Sequence, residues 1–207
     1  NCVANGRILR EGPFDDIWVQ PAAGDAGGAL GVAQMIWYQL LDNPRTVDGS
    51  NDLQAGSLLG PSFDTTSVMA TLDEIGAVYT HIDDEALLLE QTAEALADHK
   101  VVGWFQGRME FGPRALGSRS ILGDARSAEM QRTMNLKIKL RESFRPFAPS
   151  ILRERVSDYF EMAPEHESPY MMLVAPLKAS RRLPEPATDS GPLTGFAKLS
   201  VARSDVP

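Results

Sequence analysis

An α/β fold is predicted by three features of this 207-residue chain. Short apolar runs at Ile17, Trp18 and Val19, at residues 101–105 and at Ile121 and Leu122 have the length of strands. Segments with apolar residues at helical spacing lie between them. A glycine-rich turn joins the first run to the first such segment, the strand–turn–helix pattern of α/β units. An apolar content of 43% and a charged content of 23% are those of an ordinary globular domain, so long disorder and a fibrous chain are excluded. The length allows one large domain or two small ones.

The elements follow in order. Ile17, Trp18 and Val19 predict a buried strand ending at Pro21. The turn Pro21-Ala-Ala-Gly24-Asp25-Ala-Gly27-Gly28-Ala-Leu-Gly31 leads into a helix with Val32, Met35, Ile36 and Leu40 on one side. Such a turn brings backbone N–H groups and a helix N-terminus towards a phosphate, or packs tightly through its small residues. Asp25 can cap the helix, hold a metal, or both, and its position favours the cap. Residues 42–60 are polar, with Asn43-Pro44, Asp48-Gly49 and Gly56, and read as a linker.

Asp83 and Asp84 predict the start of a helix carrying Ala86, Leu87, Leu89, Ala93 and Leu96. Residues 101–105 predict a strand. Three glycines and a proline in the next fifteen residues predict a tightly folded loop. Ser127 is placed to cap a helix with Met130 and Met134. From Asn135 the period changes: Leu136, Ile138 and Leu140 alternate with Lys137, Lys139 and Arg141, which predicts an extended stretch with the cations on one face. Residues 153–160 predict a helix with Val156, Tyr159 and Phe160. Beyond it Pro164, Pro169, Pro176, Pro184, Pro186 and Pro192 divide the chain into short strands and loops.

Charge is unevenly distributed. The net charge is −8, yet residues 98–155 hold twelve Lys/Arg against six Asp/Glu. A basic segment in an acidic chain predicts a local anion site. Arg108, Arg114 and Arg119 sit on a loop built from Gly107, Gly112 and Gly117, beside Ser118 and Ser120. Lys137, Lys139, Arg141 and Arg145 follow. Arginine matches an oxyanion with a planar fork of donors, and lysine adds a point charge. A solvated basic face is the competing reading, and a nucleic-acid-binding module is an alternative of another class. His81, His99 and His166 lack the spacing of a paired metal site, and Cys2 has no neighbouring base in sequence. With one cysteine the chain has no intrachain disulfide, as expected in a cytoplasmic protein. No apolar run reaches the roughly 20 residues that span a bilayer.

Two runs resemble a known family. They are Gly107-Arg-Met-Glu-Phe-Gly-Pro-Arg-Ala-Leu-Gly-Ser-Arg-Ser-Ile-Leu-Gly-Asp-Ala-Arg126 and Asn135-Leu-Lys-Ile-Lys-Leu-Arg-Glu-Ser-Phe-Arg-Pro-Phe-Ala-Pro-Ser150. They resemble the O-carbamoyltransferases of the NodU/CmcH type, which act on nodulation oligosaccharides or antibiotics. Residues 1–6 and the 21–31 turn look like the end of the same family's first domain.

The resemblance implies a YrdC-like twisted mixed sheet with helices over residues 61–207, truncated. Residues 1–45 would be the end of an actin/sugar-kinase-like domain, and residues 46–60 a linker. It implies formation of carbamoyladenylate from carbamoyl phosphate and ATP, then transfer to a hydroxyl. Arg114, Lys139 and Arg145 match the family's catalytic cations. Arg108, Ser118, Arg119, Lys137 and Arg141 lie in the same motifs and are expected to bind substrate phosphate. Asn1, Gly24, Gly27 and Gly28 match nucleotide contacts. Asp25 matches a ligand of an Fe(II)-type divalent metal in the full-length enzyme, in place of the cap.

The expected partners are small molecules, with no nucleic acid and no membrane. The chain starts with Asn, and the family's paired metal-binding histidines have no counterpart in it. It is therefore expected to be an internal fragment that does not catalyse overall transfer alone. Hydrogenase-maturation and tRNA-modification carbamoyl chemistry is the alternative within the class, and a nodulation acceptor is the favoured one.

Overall fold

The computed structural model describes residues 1–47, 49, 52–163, 166–184, 195, 201, 204 and 205. The expected breaks at Pro164, Pro186 and Pro192 and the turn at Asp48 lie outside the described residues. The chain divides into two units. One comprises Asn1–Asp83, Gly103–Ser120 and Ser168–Val174, the other Asp84–Val102, Ile121–Glu167 and Ala175–Pro207. The architecture is α/β, with six α-helices and a small two-stranded antiparallel sheet among the described residues.

In the first unit α1 (Cys2–Glu11) starts at Asn1, whose side chain accepts the Val3 and Ala4 N–H groups. Gly6 lets α1 approach the 168–174 segment closely, since a Cβ there would lie 2.5 Å from the Val174 carbonyl oxygen. Asn5 Nδ2 (3.0 Å) donates to the Met172 carbonyl, and an Arg10 Nη1 donates to that of Val174. α2 (Asp25–Met35) continues as a π-helical turn, Ile36–Leu40. α3 (Thr65–Glu74) is capped by Asp64, which accepts the Ser67 N–H at 2.7 Å.

In the second unit α4 (Glu85–Ala97) begins where expected, with Asp84 accepting from Ala86 and Leu87. The other aspartate, Asp83, pairs with His81 instead. α5 (Met130–Thr133) runs into a π-helical turn, Met134–Ile138. Met130 and Met134 are buried, with their side chains packed against Gly123. α6 (Val156–Tyr159) follows a 3-10 turn, Arg153–Arg155, where the helical spacing of Val156 and Tyr159 places it. β1 (Val102–Phe105) and β2 (Arg119–Leu122) form the sheet, with residues 103–105, 119 and 120 counted in the first unit, both where the apolar runs predicted strands.

Several expectations are corrected. Residues 17–19 form no strand, and Trp18 is exposed: among the described residues no strand pairs with this run. The helix after the glycine turn forms, but Val32, Met35, Ile36 and Leu40 are all exposed. Residues 134–138 are helical, not extended, so Lys137 and Lys139 do not share a strand face. Ser127 offers α5 its carbonyl, which accepts the Met130 N–H at 3.1 Å, and its side chain caps nothing. The described part of the proline-rich tail holds single bridges, Phe160 with Leu177 and Arg182 with Ser204, not strands. Ser57 is fully buried.

One ion pair in the second unit has a pH signature. Arg126 grips Asp124 through Nε (2.9 and 3.0 Å) and an Nη (2.7 Å). These hydrogen bonds hold the Asp124 carboxyl down to about 2. A carboxyl depressed in the folded state contributes stability above its unfolded value and loses it as pH falls through the folded one. Arg126 is largely exposed, so screening reduces the contribution to roughly 1 kcal/mol. Asp124→Asn should lower stability by about that much at pH 7. The gap to wild type should narrow as pH falls from 4 towards 2, measured by urea denaturation across that range.

Candidate functional site

The strongest sequence feature becomes a defined object. Residues 106–118 form the loop between β1 and β2, closed at its base where the Gln106 N–H donates to the Ser118 carbonyl at 3.0 Å. Loops this long in compact units are commonly compact, self-packed and functional. The loop is pinned to the 57–61 segment by backbone bonds. Gly60 N donates to Met109 O, Met109 N to Pro61 O (both 2.9 Å), and Phe111 N to Ser57 O (2.6 Å). At Gly112, φ is +105° and a Cβ would meet the Ala22 methyl at 2.6 Å, so the loop lies directly on the glycine-rich turn.

The three loop arginines differ in what they do. Arg119 Nη1 donates to the carbonyls of Gln106 (2.9 Å) and Ser118 (2.7 Å), and Nη2 to that of Gly107 (3.1 Å). Its guanidinium carbon lies 3.4 Å from the centre of the Phe105 ring. Arg108 donates to the Leu58 and Leu59 carbonyls. Both are committed to holding backbone. Arg114 is exposed and makes no hydrogen bond or ion pair among the described residues. It leaves a full guanidinium fork free on a loop whose other arginines are occupied.

Glu110 is 4% exposed, and its Oε1 accepts the N–H groups of Leu116 (2.8 Å) and Ser118 (2.6 Å). Burial pushes its carboxyl up, but the N–H groups of Ser118, Leu116, Glu110 and Arg119 outweigh burial and hold it below the usual range. Ser118 is buried and works through its backbone. Ser120 Oγ accepts the Gly117 N–H at 3.0 Å.

The turn of the same unit holds the other first-unit candidates. Gly24 occupies the cap of α2 and makes no side-chain cap bond, so Asp25 is an acid in the first helical turn and not the cap. There it complements the helix dipole. A Cβ would meet nothing within 4 Å at Gly24 or Gly28, whereas at Gly27 it would lie 2.5 Å from the Ala22 carbonyl. Gly27 is thus required by the turn, and Gly24 and Gly28 face open space. Asn1 spends its side-chain oxygen on capping α1. Among the described residues no three His, Cys, Asp or Glu side chains gather to hold a metal ion, at Asp25 or elsewhere.

The second unit holds the remaining cations. Asn135 is fully buried and donates Nδ2 to the carbonyls of Ser143 (3.1 Å) and Arg145 (2.8 Å). Its Oδ1 accepts from Arg141 Nε at 2.6 Å, and the Arg141 guanidinium lies over the Phe147 ring at 4.9 Å. The 139–145 segment therefore wraps around one asparagine. Arg141 is a structural cation, and Arg145 pairs with Glu142 at 3.0 Å. Lys137 and Lys139 are exposed and unpaired among the described residues. An open depression of about 500 Å3 lined by His99, Arg126, Ser127, Glu129, Met130 and Thr133 contains none of the candidate residues.

Comparison with known proteins decides the class. The family model described as carbamoyltransferase N-terminus matches residues 1–34, and the one described as carbamoyltransferase C-terminus matches residues 93–189. This chain belongs to the carbamoyltransferase family. It is 54% identical to an uncharacterized protein of Synechocystis sp., over all of this chain and 33% of that protein. It is 44% identical to nodulation protein NolNO of Sinorhizobium fredii, over 88% of this chain and 26% of that protein. It is 33% identical to the 3'-hydroxymethylcephem-O-carbamoyltransferase of Streptomyces clavuligerus, over 83% of this chain and 30% of that protein. This carbamoyltransferase chain thus spans between a quarter and a third of the length of these curated relatives. The C-terminal match includes the whole arginine loop and the Asn135-centred segment.

Two residues were given no role by sequence reasoning, Glu110 and Asn135. Each is a polar side chain amid glycines or aliphatics, which is the signal that would have found them.

Proposed function

We propose that this chain is the phosphate-gripping part of an ATP-dependent O-carbamoyltransferase. In this reading the whole protein forms carbamoyladenylate from carbamoyl phosphate and ATP. A saccharide or antibiotic hydroxyl oxygen then attacks the carbamoyl carbon, and AMP leaves. The second unit would be part of a YrdC-like domain, and the first 45 residues the end of an actin-like one. The observation that carries the proposal is Arg114, exposed and unpaired on a loop in which Arg108, Arg119 and Glu110 are all engaged.

The chemistry asks little of the protein beyond charge and position. Carbamoyl phosphate is an anion, and its activation releases anionic groups. A guanidinium held in place by a self-packed loop can meet two phosphate oxygens without reorganising. Within the second unit, taken by itself, Lys137 and Lys139 carry point charges suited to phosphate. The identity to a 3'-hydroxymethylcephem-O-carbamoyltransferase supports a hydroxyl acceptor.

Calorimetric titration tests this. The chain should bind carbamoyl phosphate and ATP saturably, and Arg114→Ala should weaken carbamoyl phosphate roughly tenfold or more, as expected for losing a charge-assisted bidentate contact. The chain alone should not carbamoylate an acceptor. Unchanged binding by Arg114→Ala overturns the reading. So does binding of duplex RNA with a steep salt dependence and no binding of the small anions.

A further inference from the structure

We infer that Glu110 is a positioning residue for Arg114, a carboxylate used as a template for the anion-binding loop and not as an acid, base or ligand. The inference rests on the phosphate-gripping reading above.

Arg114 sits between Glu110 and the two amides that Glu110 holds, Leu116 and Ser118. One carboxylate oxygen thus closes a ring of chain around the arginine, from 110 out to 114 and back to 116 and 118. Arg119 and the Gln106–Ser118 bond fix the base, Gln106 Nε2 donates to the Gly117 carbonyl at 3.3 Å, and the 57–61 segment fixes residues 109 and 111. Among the described residues, Glu110 is the side chain that ties residue 116, two residues after Arg114, back to the outgoing half. Without it, the backbone nearest Arg114 would lose that constraint.

The choice of a negative group is informative. A carboxylate in an anion-binding loop opposes anion binding through its field, so its presence needs another reason. Burial of the carboxyl also opposes its charge, and the backbone N–H groups are what hold it ionised. A charge kept at that cost, and pointed at amides, acts as a structural acceptor. Two N–H groups aimed at one oxygen are bound more strongly by a carboxylate than by a neutral acceptor.

The two possible roles predict opposite signs. If Glu110 acted through its field alone, Glu110→Ala and Glu110→Gln would both tighten carbamoyl phosphate binding. If it positions Arg114, Glu110→Ala weakens binding about fivefold to tenfold. Glu110→Gln, whose carbonyl oxygen can still accept both amides, stays within about threefold of wild type. Calorimetry with carbamoyl phosphate should be run on wild type, Glu110→Ala, Glu110→Gln, Arg114→Ala and the Glu110→Ala/Arg114→Ala double variant. In the double variant the Glu110 substitution should have no further effect, because it acts through Arg114.

Additive losses in that cycle, tightening by Glu110→Ala, or wild-type binding by Glu110→Ala overturn the inference. Wild-type binding by Arg114→Ala instead overturns the phosphate-gripping reading. If Glu110→Ala does not fold, Glu110→Asp is the substitute. It keeps the charge but is one methylene too short to hold both amides, so it should weaken binding, and unchanged binding sinks the proposal.

Discussion

Asn135→Ala is expected to lower stability by about 2–4 kcal/mol, the range for stripping a fully buried polar hub of its partners. The side chain answers three groups at once: the Ser143 and Arg145 carbonyls and the Arg141 guanidinium. Alanine leaves the Ser143 carbonyl and Arg141 Nε without this partner. The Arg145 carbonyl keeps its bond from Gln131 Nε2, at 3.0 Å, so the loss is partial. Asn135→Asp is the sharper probe. It keeps the acceptor for Arg141 but replaces an amide donor with an oxygen facing two carbonyl oxygens, so it should be at least as destabilising as alanine. Urea denaturation of both variants measures this, and a drop below about 0.5 kcal/mol for either would contradict the hub. Because the same residue fixes the turn bearing Lys139 and Arg145, both variants should also weaken ATP binding while Gln131→Ala weakens it less.

How much was legible in the sequence follows from what each signal depends on. Local signals carried through. Asp84 caps α4 because an aspartate before a helical run needs only its own next few amides. The 101–105 run forms β1 because a partner strand arrives by a hairpin. The glycine-rich arginine run forms a tight loop because positive φ at Gly107, Gly112 and Gly117 is accessible to glycine alone at little cost. Signals that depend on distant partners did not carry through. The 17–19 run has strand composition, but among the described residues no strand pairs with it. The alternation from Leu136 to Arg141 reads equally as a strand or as a helix that tightens and then turns, and the buried Asn135 tips it to the second by collecting carbonyls from 143 and 145.

The basic segment was legible as charge but not as division of labour. Counting cations in residues 98–155 gave one anion site with seven candidate groups. The structure separates them by what they touch. Arg108, Arg119 and Arg141 hold carbonyls and rings, and Arg145 holds Glu142. Arg114, Lys137 and Lys139 make no hydrogen bond or ion pair among the described residues. A guanidinium has five donors, and glycine-rich backbone exposes many carbonyls, so arginine in such loops is drawn into structural service. The same run of residues therefore contains both the scaffold and the ligand-facing group, and spacing alone does not sort them.

Gly112→Ala should be the most damaging small change in the loop, at about 3 kcal/mol. Two costs combine. A φ of +105° is a conformation that a Cβ strains, typically by about 1–3 kcal/mol. The added methyl would also lie 2.6 Å from the Ala22 Cβ, a short side chain with no rotamer to escape into. Ala22 itself has a positive φ of 52°, so Ala22→Gly relieves its own backbone while opening space for the methyl at 112. The pair thus forms a cycle with a signed outcome. Ala22→Gly alone should be neutral within about 0.5 kcal/mol, the lost packing offset by the relieved backbone. In the double variant it should recover the steric part of the Gly112→Ala loss and leave the φ part. Additive denaturation energies across that cycle would mean that the loop and the turn do not touch at this point. The position also reports on function, because Gly112 precedes Pro113 and Arg114 directly. Pro113 narrows the backbone choices of residue 112, so strain introduced there is passed on towards the arginine. Gly112→Ala should therefore lose carbamoyl phosphate affinity along with stability, and the double variant should regain part of both.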